Sequence, residues 1–590
     1  MTKREIKQYH KTNCKHRQKQ ISKEGIRSKI EHDLEYGDVL GRVIFISFFL
    51  KRHIRIVYHS CTGMVQRKQR FQNNRENKGK RKREDNKKCG WDIYTVEIKR
   101  YGATVLMRWL QGINRYIFGP AFPVFLCIAG LVMWGMLGGR LLRRPVEALR
   151  AMRGGEGGFR ALTLALAGTL GVGNIVGVAV ALQYGGAGAL FWMWMSAICM
   201  MPVKYAEIYL STAYRIKSED GYHGGPMYYI PTAFTNKRWG KRAAAFFAIL
   251  CLVASFCLGN LIQIRAAADA VNIIGGLPPY ITAAMMLFAA LFLIFSDRRR
   301  LTKFTSIAIP FFCAGYCVFS LMILIMHREM LGTVCARIFS EAFSFRAAGG
   351  GIGATLFSAA LRHGCAKGVF SHEGGCGTAP ISYAGMEHVN PAGAGLWGVL
   401  EIFVDTMILC TMTGLVLLLF PGQVDGGLDF VVRAFGYFGG KTAQFFIAGA
   451  VIVFAFSTLV CWSYYGGECI RYFTSSPRAK KGYRILFCLA VIPGVFAAEE
   501  MVWELNDFCT MCMTLLNVSV LLRLLPEIRN GVINHTSRWD LKRVRPLCGK
   551  RSKKIPVSTT GINAMTGETK ILENTSRCRK NAGSAMANNK

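Results

Sequence analysis

The chain has 590 residues, 51% of them hydrophobic, and a mean hydropathy of +0.25. Its formal net charge is +39, and residues 1–100 alone hold 27 Lys and Arg against 11 Asp and Glu. Apolar runs long enough to span a hydrocarbon core, about 20 residues each, recur from about residue 116 to 525 and exclude a soluble protein. Most of the 20 Cys lie within these runs, which predicts buried thiols and no disulfide framework.

The elements divide the chain into three parts. Residues 1–105 are basic and without apolar periodicity, which predicts a disordered N-terminal extension with no secretory signal. Residues 106–530 form an all-α membrane domain, and 531–590 a basic cytoplasmic tail. About eleven transmembrane helices are predicted, at Tyr116–Gly138, Ala161–Leu182, Ala189–Tyr214, Ala243–Val271, Tyr280–Phe295, Phe304–Met326, Gly350–Met386, Ala394–Phe420, Ala443–Ile470, Tyr483–Ala498 and Leu505–Leu525.

The loop charges predict the orientation of these helices. Arg and Lys cluster in the segments after the first, third, fifth, ninth and eleventh helices. The segments that follow the even-numbered helices, here called their exits, carry fewer positive charges. Positively charged loops favour the cytoplasm, so we expect a cytoplasmic C-terminus. Eleven spans then put the basic residues 1–105 outside, unless the first helix does not span or the true start lies downstream, for example at Met107.

The second predicted helix is interrupted by glycine. The ten residues from Gly168 to Gly177 include four glycines, and each costs about 1 kcal/mol in a helix interior relative to alanine. The alternative is close packing of helices through small residues. A dinucleotide-binding loop is excluded, because the spacing is G-x-G-x-x-x-G and no strand precedes it.

The seventh predicted helix carries a second interruption. The stretch Phe370–Pro380 contains His372, Glu373, three glycines and a proline inside an apolar span. A break frees backbone groups that lipid cannot satisfy, so they are expected to line a cavity. His372 and Glu373 could equally form a structural polar pair, while no second pair of ligands supports a metal site.

The spacing of the two breaks predicts an architecture. They lie five helices apart, as expected for a five-plus-five inverted repeat whose first helices are broken, with one extra N-terminal helix. Transporters of this kind bind substrate near the midplane, where the broken helices meet. In the ninth helix, Ser457 and Thr458 could supply oxygen ligands to a cation, or bond back to carbonyls of their own helix.

Six segments together resemble the alanine/glycine:cation symporters, a family with a leucine-transporter-type fold. They follow the family order between about residues 107 and 530. The segments are Gly171–Val178, Gly185–Glu207, Gly224–Ile230, Phe370–Pro380, Asp405–Gly414 and Phe454–Glu468.

The resemblance implies a multi-pass transporter of the cell membrane, not an enzyme. It would couple uptake of a small neutral amino acid, alanine or glycine, to sodium or possibly a proton, with no cofactor and no nucleic-acid partner. The expected substrate residues are Gly171, Gly173, Asn174, Gln263, Arg265, Ser371, His372, Gly374 and Gly375. The expected sodium residues are Gly168, Val172, Ser457 and Thr458.

The chain departs from the family pattern at several of these positions. Val172 stands where Thr is usual, His372 where Asn is usual, and Gly374 where Ala is usual. Arg265 replaces an Asn, and an arginine inside a span needs a partner. That partner could be Asp269 one helical turn along, which we favour, or Glu373, or the carboxylate of the substrate.

Two other functions remain open from sequence. An amino-acid exchanger of the same fold, with altered specificity or without cation coupling, would result if the changed residues abolish ion binding. A membrane enzyme could use His372 and Glu373 as acid and base, but the sequence offers no convincing nucleophile or metal set.

Overall fold

The computed structural model describes residues 107–108, 110–114, 121–137, 156–219, 221–296, 298–343, 352–386, 390–424, 426–496 and 499–532. The predicted extension 1–105 lies outside the described residues, as does the predicted tail apart from 531–532.

The described part is helical apart from one short hairpin and the connecting turns. We label the long helices α1 to α11 in chain order and give the halves of broken helices the letters a and b. They are α1 Ala121–Leu137, α2a Glu156–Thr169, α2b Val176–Gly185, α3 Gly188–Ala213, α4 Lys237–Gly275, α5 Pro279–Ile294, α6 Arg298–Met326, α7a Ile352–His372, α7b Ala379–Ala384, α8 Pro391–Leu419, α9 Leu428–Phe473, α10 Pro477–Leu489 and α11 Glu499–Arg523. The backbone of α9 is non-helical at Gly440, where φ is 64°, so a kink separates its first part from the apolar part that follows.

Both predicted breaks are present. A 3₁₀ turn, Val172–Asn174, separates α2a from α2b. An irregular stretch separates α7a from α7b, and there Gly375 and Gly377 have φ of 81° and 83°. Side chains with a Cβ are disfavoured in this left-handed region, so the backbone itself accounts for these two glycines. The five-plus-five repeat and the number of spans stay predictions.

Two further helices are irregular where the sequence predicts continuous helix. A π-helical segment, Cys257–Ile262, lies within α4, and a second one, Phe403–Cys410, lies within α8. Such segments shift the register of the side chains that follow and often occur at functional sites. The segment in α4 ends next to Gln263, and the segment in α8 contains Asp405. Both of these side chains face the breaks.

Several elements between the long helices are absent from the sequence-based prediction. They include two helical turns, Pro226–Tyr229 and Ile230–Ala233, and the two elements that follow. A surface helix, Arg328–Ala342, lies between α6 and α7a, and its Glu341 accepts a 2.6 Å hydrogen bond from the Ala187 N–H at the start of α3. A hairpin of β1, Ile216–Ser218, and β2, Gly221–His223, follows α3. Both are too short and too polar to stand out beside apolar spans.

The helices pack closely through glycine. A Cβ at Gly130 of α1 would lie 2.2 Å from the Cys199 carbonyl oxygen of α3, and one at Gly259 of α4 would lie 2.2 Å from the Trp462 Cβ of α9. Helix α3 also contacts α7a and α8, so it supports one break from behind. Small residues that let backbones approach are typical of helix contacts in membranes.

Five of the described helices are long and apolar enough to cross a membrane by length and composition. They are α4, α8 and α9 together with residues Arg300–Met326 of α6 and Glu500–Arg523 of α11. Shorter apolar helices include α1, α2b and α5. The described part of the chain is therefore a bundle of membrane-spanning type, as the hydropathy predicted.

Candidate functional site

The hydroxyl of Thr458 joins α9 to the break in α2. Its Oγ1 lies 3.0 Å from the carbonyl oxygen of Ala167 and 3.2 Å from that of Leu170, and it donates its proton to one of these acceptors. The residue is 1% exposed. Three oxygens thus converge beside the last turn of α2a, and neutral oxygens of this kind suit a small hard cation.

The neighbouring hydroxyl does not share this place. Ser457 donates instead to the Phe454 carbonyl of its own helix, at 2.9 Å. This is the local bond that the sequence left open as the alternative for Ser457 and Thr458. Of the two, only Thr458 reaches across to α2.

Gly171 and Gln263 complete this corner of the break. A Cβ at Gly171 would lie 2.8 Å from Thr458 Oγ1 and 3.0 Å from Gln263 Oε1, so both oxygens face the same point on the backbone. Gln263 Oε1 is buried and accepts no hydrogen bond from the described residues. A buried acceptor of this kind is one that a cation or an ammonium group could satisfy.

The other two expected sodium residues, Gly168 and Val172, do not contact the Thr458 hydroxyl. The Val172 carbonyl accepts the Ile175 N–H within the 3₁₀ turn, so it is already used by the local backbone. Gly168 packs against α9, where a Cβ would lie 2.8 Å from the Tyr465 hydroxyl. The carbonyls that Thr458 contacts belong to Ala167 and Leu170 instead.

A hydrogen-bonded cluster joins the breaks in α2 and α7 to α8. Asn174 Nδ2 donates to Ser371 Oγ at 2.9 Å and to Asp405 Oδ1 at 2.7 Å. Ser371 Oγ donates to Asp405 Oδ2 at 2.8 Å, and Thr406 Oγ1 donates to the same oxygen at 2.9 Å. Asp405 is fully buried, and the structure therefore brings Asn174 and Ser371 together around a carboxylate.

A cavity of about 560 Å³ extends from the first turns of α1 and α11 to the break in α7. Helices α1, α2b, α7a and α11 line it, and it reaches Glu373 and Cys376 in the break of α7. Phe370 lines the cavity and also approaches the break in α2, because a Cβ at Gly173 would lie 3.1 Å from its ring. The ring therefore separates the cavity from the backbone at Gly173.

Phe370 is held by its neighbours on the cavity side. Its ring centroid lies 5.1 Å from that of Trp503, and the Lys367 ammonium lies 5.3 Å from the Phe370 ring and 4.9 Å from the Trp503 ring. A cation over aromatic rings is attracted by their electron-rich faces. These three side chains therefore contact one another, and two of them, Lys367 and Phe370, line the cavity.

The carbonyls freed by the α7 break are bound by side chains from other helices. Lys204 of α3 donates to the His372 carbonyl at 3.0 Å, and its Nζ lies 3.0 Å from a carboxylate oxygen of Glu401 in α8. Asn517 of α11 donates to the Gly375 carbonyl at 2.9 Å. Lys204 and Glu401 are both fully buried, so a carbonyl of the break is bound by one member of an ion pair inside the bundle.

Asn517 makes a second bond to α3 and links this framework to the helical turn Pro226–Tyr229. Its Nδ2 also donates to Glu207 of α3 at 2.9 Å, and its Oδ1 accepts the Tyr229 hydroxyl at 2.6 Å. Helices α3 and α11 and the turn that carries Tyr229 therefore fix the conformation around Gly375. The sequence predicted that the freed backbone would line a cavity, whereas these two carbonyls are satisfied by protein.

His372, Glu373 and Gly374 stabilise the broken stretch itself. His372 Nδ1 accepts the Gly374 N–H at 2.9 Å, and Glu373 accepts the Thr378 hydroxyl. A Cβ at Gly374 would lie 2.8 Å from Met200 Cβ of α3. His372 and Glu373 thus each bond to the loop rather than to one another, and His372 and Gly374 face the framework rather than Asn174.

Arg265 lies apart from the cluster. Its Nε is 3.3 Å from Asp269 Oδ1, its Nη1 donates to the Val495 carbonyl at 3.1 Å, and its side chain is 42% exposed. Two residues along a helix correspond to about 200°, so Arg265 and Gln263 point to nearly opposite faces of α4. The geometry matches the pairing with Asp269 and not a contact with Glu373.

Several ionisable residues of this region were given no role from sequence. Lys204, Glu207, Glu401 and Asp405 stand inside apolar spans, where charged side chains are costly and functional by default. Three of them, Lys204, Glu207 and Asp405, lie within the segments that resemble the family. A charged residue inside an apolar span was the feature of the sequence that could have identified them.

Comparisons with known proteins identify the family of this chain. The model of the sodium:alanine symporter family matches residues 103–543. The sodium/alanine symporter AgcS of Methanococcus maripaludis is 34% identical over 70% of this chain and 93% of its own length. The probable sodium/glutamine symporter GlnT of Bacillus subtilis is 28% identical over 67% and 83%.

Solved structures give a weaker match. MhsT in complex with L-phenylalanine has a TM-score of 0.43 and 15% identity, covering 63% of this chain and 89% of that one. A Na⁺-coupled sialic acid symporter has a TM-score of 0.43 and 14% identity, covering 64% and 82%. On the family model and the relative at 34% identity, the chain belongs to the sodium:alanine symporter family.

Proposed function

We propose that the protein carries alanine or glycine into the cell together with sodium. The observation that carries this proposal is the contact of Thr458 with the carbonyls of Ala167 and Leu170, which gathers three oxygens at the α2 break. The family supports cation-coupled transport of an amino acid, and the name of the archaeal relative supports alanine.

The substrate is proposed to bind beside the cation, between the two breaks. Gly171 and Gly173 bring backbone to the site without side chains, and Phe370 stands close to Gly173, so the space favours a small side chain. Asp405 is a buried carboxylate that attracts positive charge and positions Asn174 and Ser371. Asn174 Oδ1, which accepts no hydrogen bond from the described residues, could take one from the substrate ammonium.

Access from outside is proposed to follow the 560 Å³ cavity. A second cavity is lined by Arg471, Lys480 and Arg484, which follow or precede loops on the side that the loop charges predict to be cytoplasmic, and the 560 Å³ cavity shares none of its lining residues. An amino acid entering from the cavity has to pass Phe370, whose ring would move aside and then cover it.

Binding of labelled alanine to the purified protein tests this proposal. If sodium and alanine share adjoining sites, sodium should tighten alanine binding, and alanine should tighten sodium binding by the same factor. Asp405→Asn should weaken alanine binding. Alanine binding that ignores sodium would favour the cation-independent exchanger, and preference for another amino acid would overturn the proposed substrate.

A further inference from the structure

A second cavity, of about 190 Å³, lies at the end of the bundle away from Phe370. It is enclosed by the end of α5, the end of α9 and the start of α10, with His223 of the hairpin at one side. Its polar lining includes Ser296, Glu468, Arg471, Lys480 and Arg484. None of them belongs to the proposed transport site, which lies about three turns earlier on α9.

The cavity has an excess of positive charge. Its single carboxylate, Glu468, lies 2.9 Å from His223 Nδ1 and 3.6 Å from Arg471 Nε. Lys480 and Arg484 lie one turn apart on α10, and within the described chain neither makes an ion pair with a carboxylate. The complement of such a lining is an anion, which both side chains and the Ser296 hydroxyl can contact.

Exposed apolar side chains lie on or next to α5 and α10, two of the helices that line this cavity. Phe292 and Phe295 at the end of α5 are 67% and 40% exposed, and Leu486 and Leu489 on α10 are 60% and 50% exposed. In a bilayer such side chains lie against acyl chains. A basic cavity beside a lipid-facing apolar surface fits one kind of molecule, an anionic headgroup carrying acyl chains.

We propose that this cavity binds the phosphate of an anionic phospholipid. Lys480 and Arg484 contact the phosphate, and the acyl chains run along Phe292 and Leu486. Free phosphate offers the same charge but none of the apolar contact, so the lipid is the occupant. The bound lipid holds α5 against α10 and braces the end of α9.

Thermal unfolding of the purified full-length protein in detergent tests this proposal without sodium or amino acid. Phosphatidylglycerol should raise the unfolding temperature by at least about 3 °C, as expected for a ligand well above its dissociation constant. Phosphatidylcholine and inorganic phosphate should not. The double variant K480Q/R484Q should lose most of the shift.

The matched control removes two positive charges from the same helix. Arg478 and Lys481 lie on α10 but do not line the cavity, so R478Q/K481Q should keep the full shift. Equal loss in both double variants would show general attraction of lipid to a basic helix and overturn the proposal. A full shift with phosphate alone would overturn the lipid as occupant.

A second measurement covers the case in which K480Q/R484Q is itself unstable. Native mass spectrometry counts phosphatidylglycerol molecules retained by each variant that stays folded, including the single variants K480Q and R484Q. One fewer retained lipid is expected in these than in R478Q/K481Q, and an unchanged count would contradict the proposal. Neither experiment depends on transport. A result that contradicts the lipid site would therefore not contradict the proposed symport.

Discussion

Thr458 and Ser457 are adjacent, yet their hydroxyls bond to different helices. Thr458 reaches the Ala167 and Leu170 carbonyls, and Ser457 bonds to Phe454 in its own helix. We expect T458V, which keeps the shape but removes the oxygen, to raise the sodium concentration for half-maximal alanine uptake about tenfold, the effect of losing one contact to a charged group. Initial uptake rates across a sodium series measure this.

Ser457→Ala is the matched control for that prediction. Its lost bond is local, so its sodium dependence should stay within about twofold of the parent. Equal effects of the two substitutions, or none from T458V, would remove Thr458 from the cation site.

Arg265 gives a second prediction at this scale. Because its guanidinium pairs with Asp269 and faces away from Gln263, R265N should retain the parent's order of amino-acid preference. A lower yield of folded protein is expected, and D269N should partly restore it. Competition of unlabelled amino acids against labelled alanine measures the preference, and a changed order would assign Arg265 to the substrate.

The sequence identified several of these residues but not their orientation. Gly171, Asn174, Ser371 and Thr458 were expected at the breaks, and the structure brings them to two adjoining corners there. The rotation of α9 about its axis decides whether Ser457 or Thr458 faces α2. Tertiary packing sets that rotation, so the local sequence does not reveal it. Asp405 was missed because its role appears only when three distant segments meet.

At the scale of elements, both helix breaks were predictable from the sequence. The side chains that bind the backbone carbonyls at the α7 break were not. Glycine, proline and charge within apolar runs are local signals. The groups that satisfy the α7 carbonyls, Lys204 and Asn517, come from helices more than 140 residues away along the chain. Such pairings cannot be found from periodicity. Buried backbone groups need partners, so the protein supplies them from neighbouring helices.

The ion pair behind the α7 break gives a prediction at this scale. Lys204 and Glu401 are fully buried, and removing one member leaves an uncompensated charge, which costs about 3–5 kcal/mol. Lys204→Met should therefore lower the thermal unfolding temperature in detergent. Adding Glu401→Gln to that variant should recover part of the loss, and a double variant no more stable than K204M would contradict this role.

At the scale of the whole molecule, the loop charges predicted that the exits of the third, fifth and ninth helices share one side. The 190 Å³ cavity brings His223, Ser296 and Arg471 together, one from each of these exits. The orientation of that side in the cell stays a prediction. The surface helix Arg328–Ala342 was not predicted, because an amphipathic segment gives a weak signal between two apolar ones.

The N-terminal extension gives a prediction for the whole chain. Asn114 donates to Glu504 Oε2 at 2.6 Å, so helical residues just after Met107 contact the start of α11, whereas the family match begins at residue 103. A protein shortened to begin at Met107 should insert and take up alanine like the full chain. Membrane fractionation and uptake measure this, and loss of either would show that residues before Met107 are required.

Concentrative uptake tests the central claim most directly. Proteoliposomes containing the purified protein should accumulate labelled alanine above the external concentration when sodium is high outside and low inside. The account predicts that accumulation vanishes when the sodium gradient is collapsed, and that T458V needs a larger sodium concentration to reach the parent's rate. Equal alanine uptake with and without a sodium gradient would contradict it.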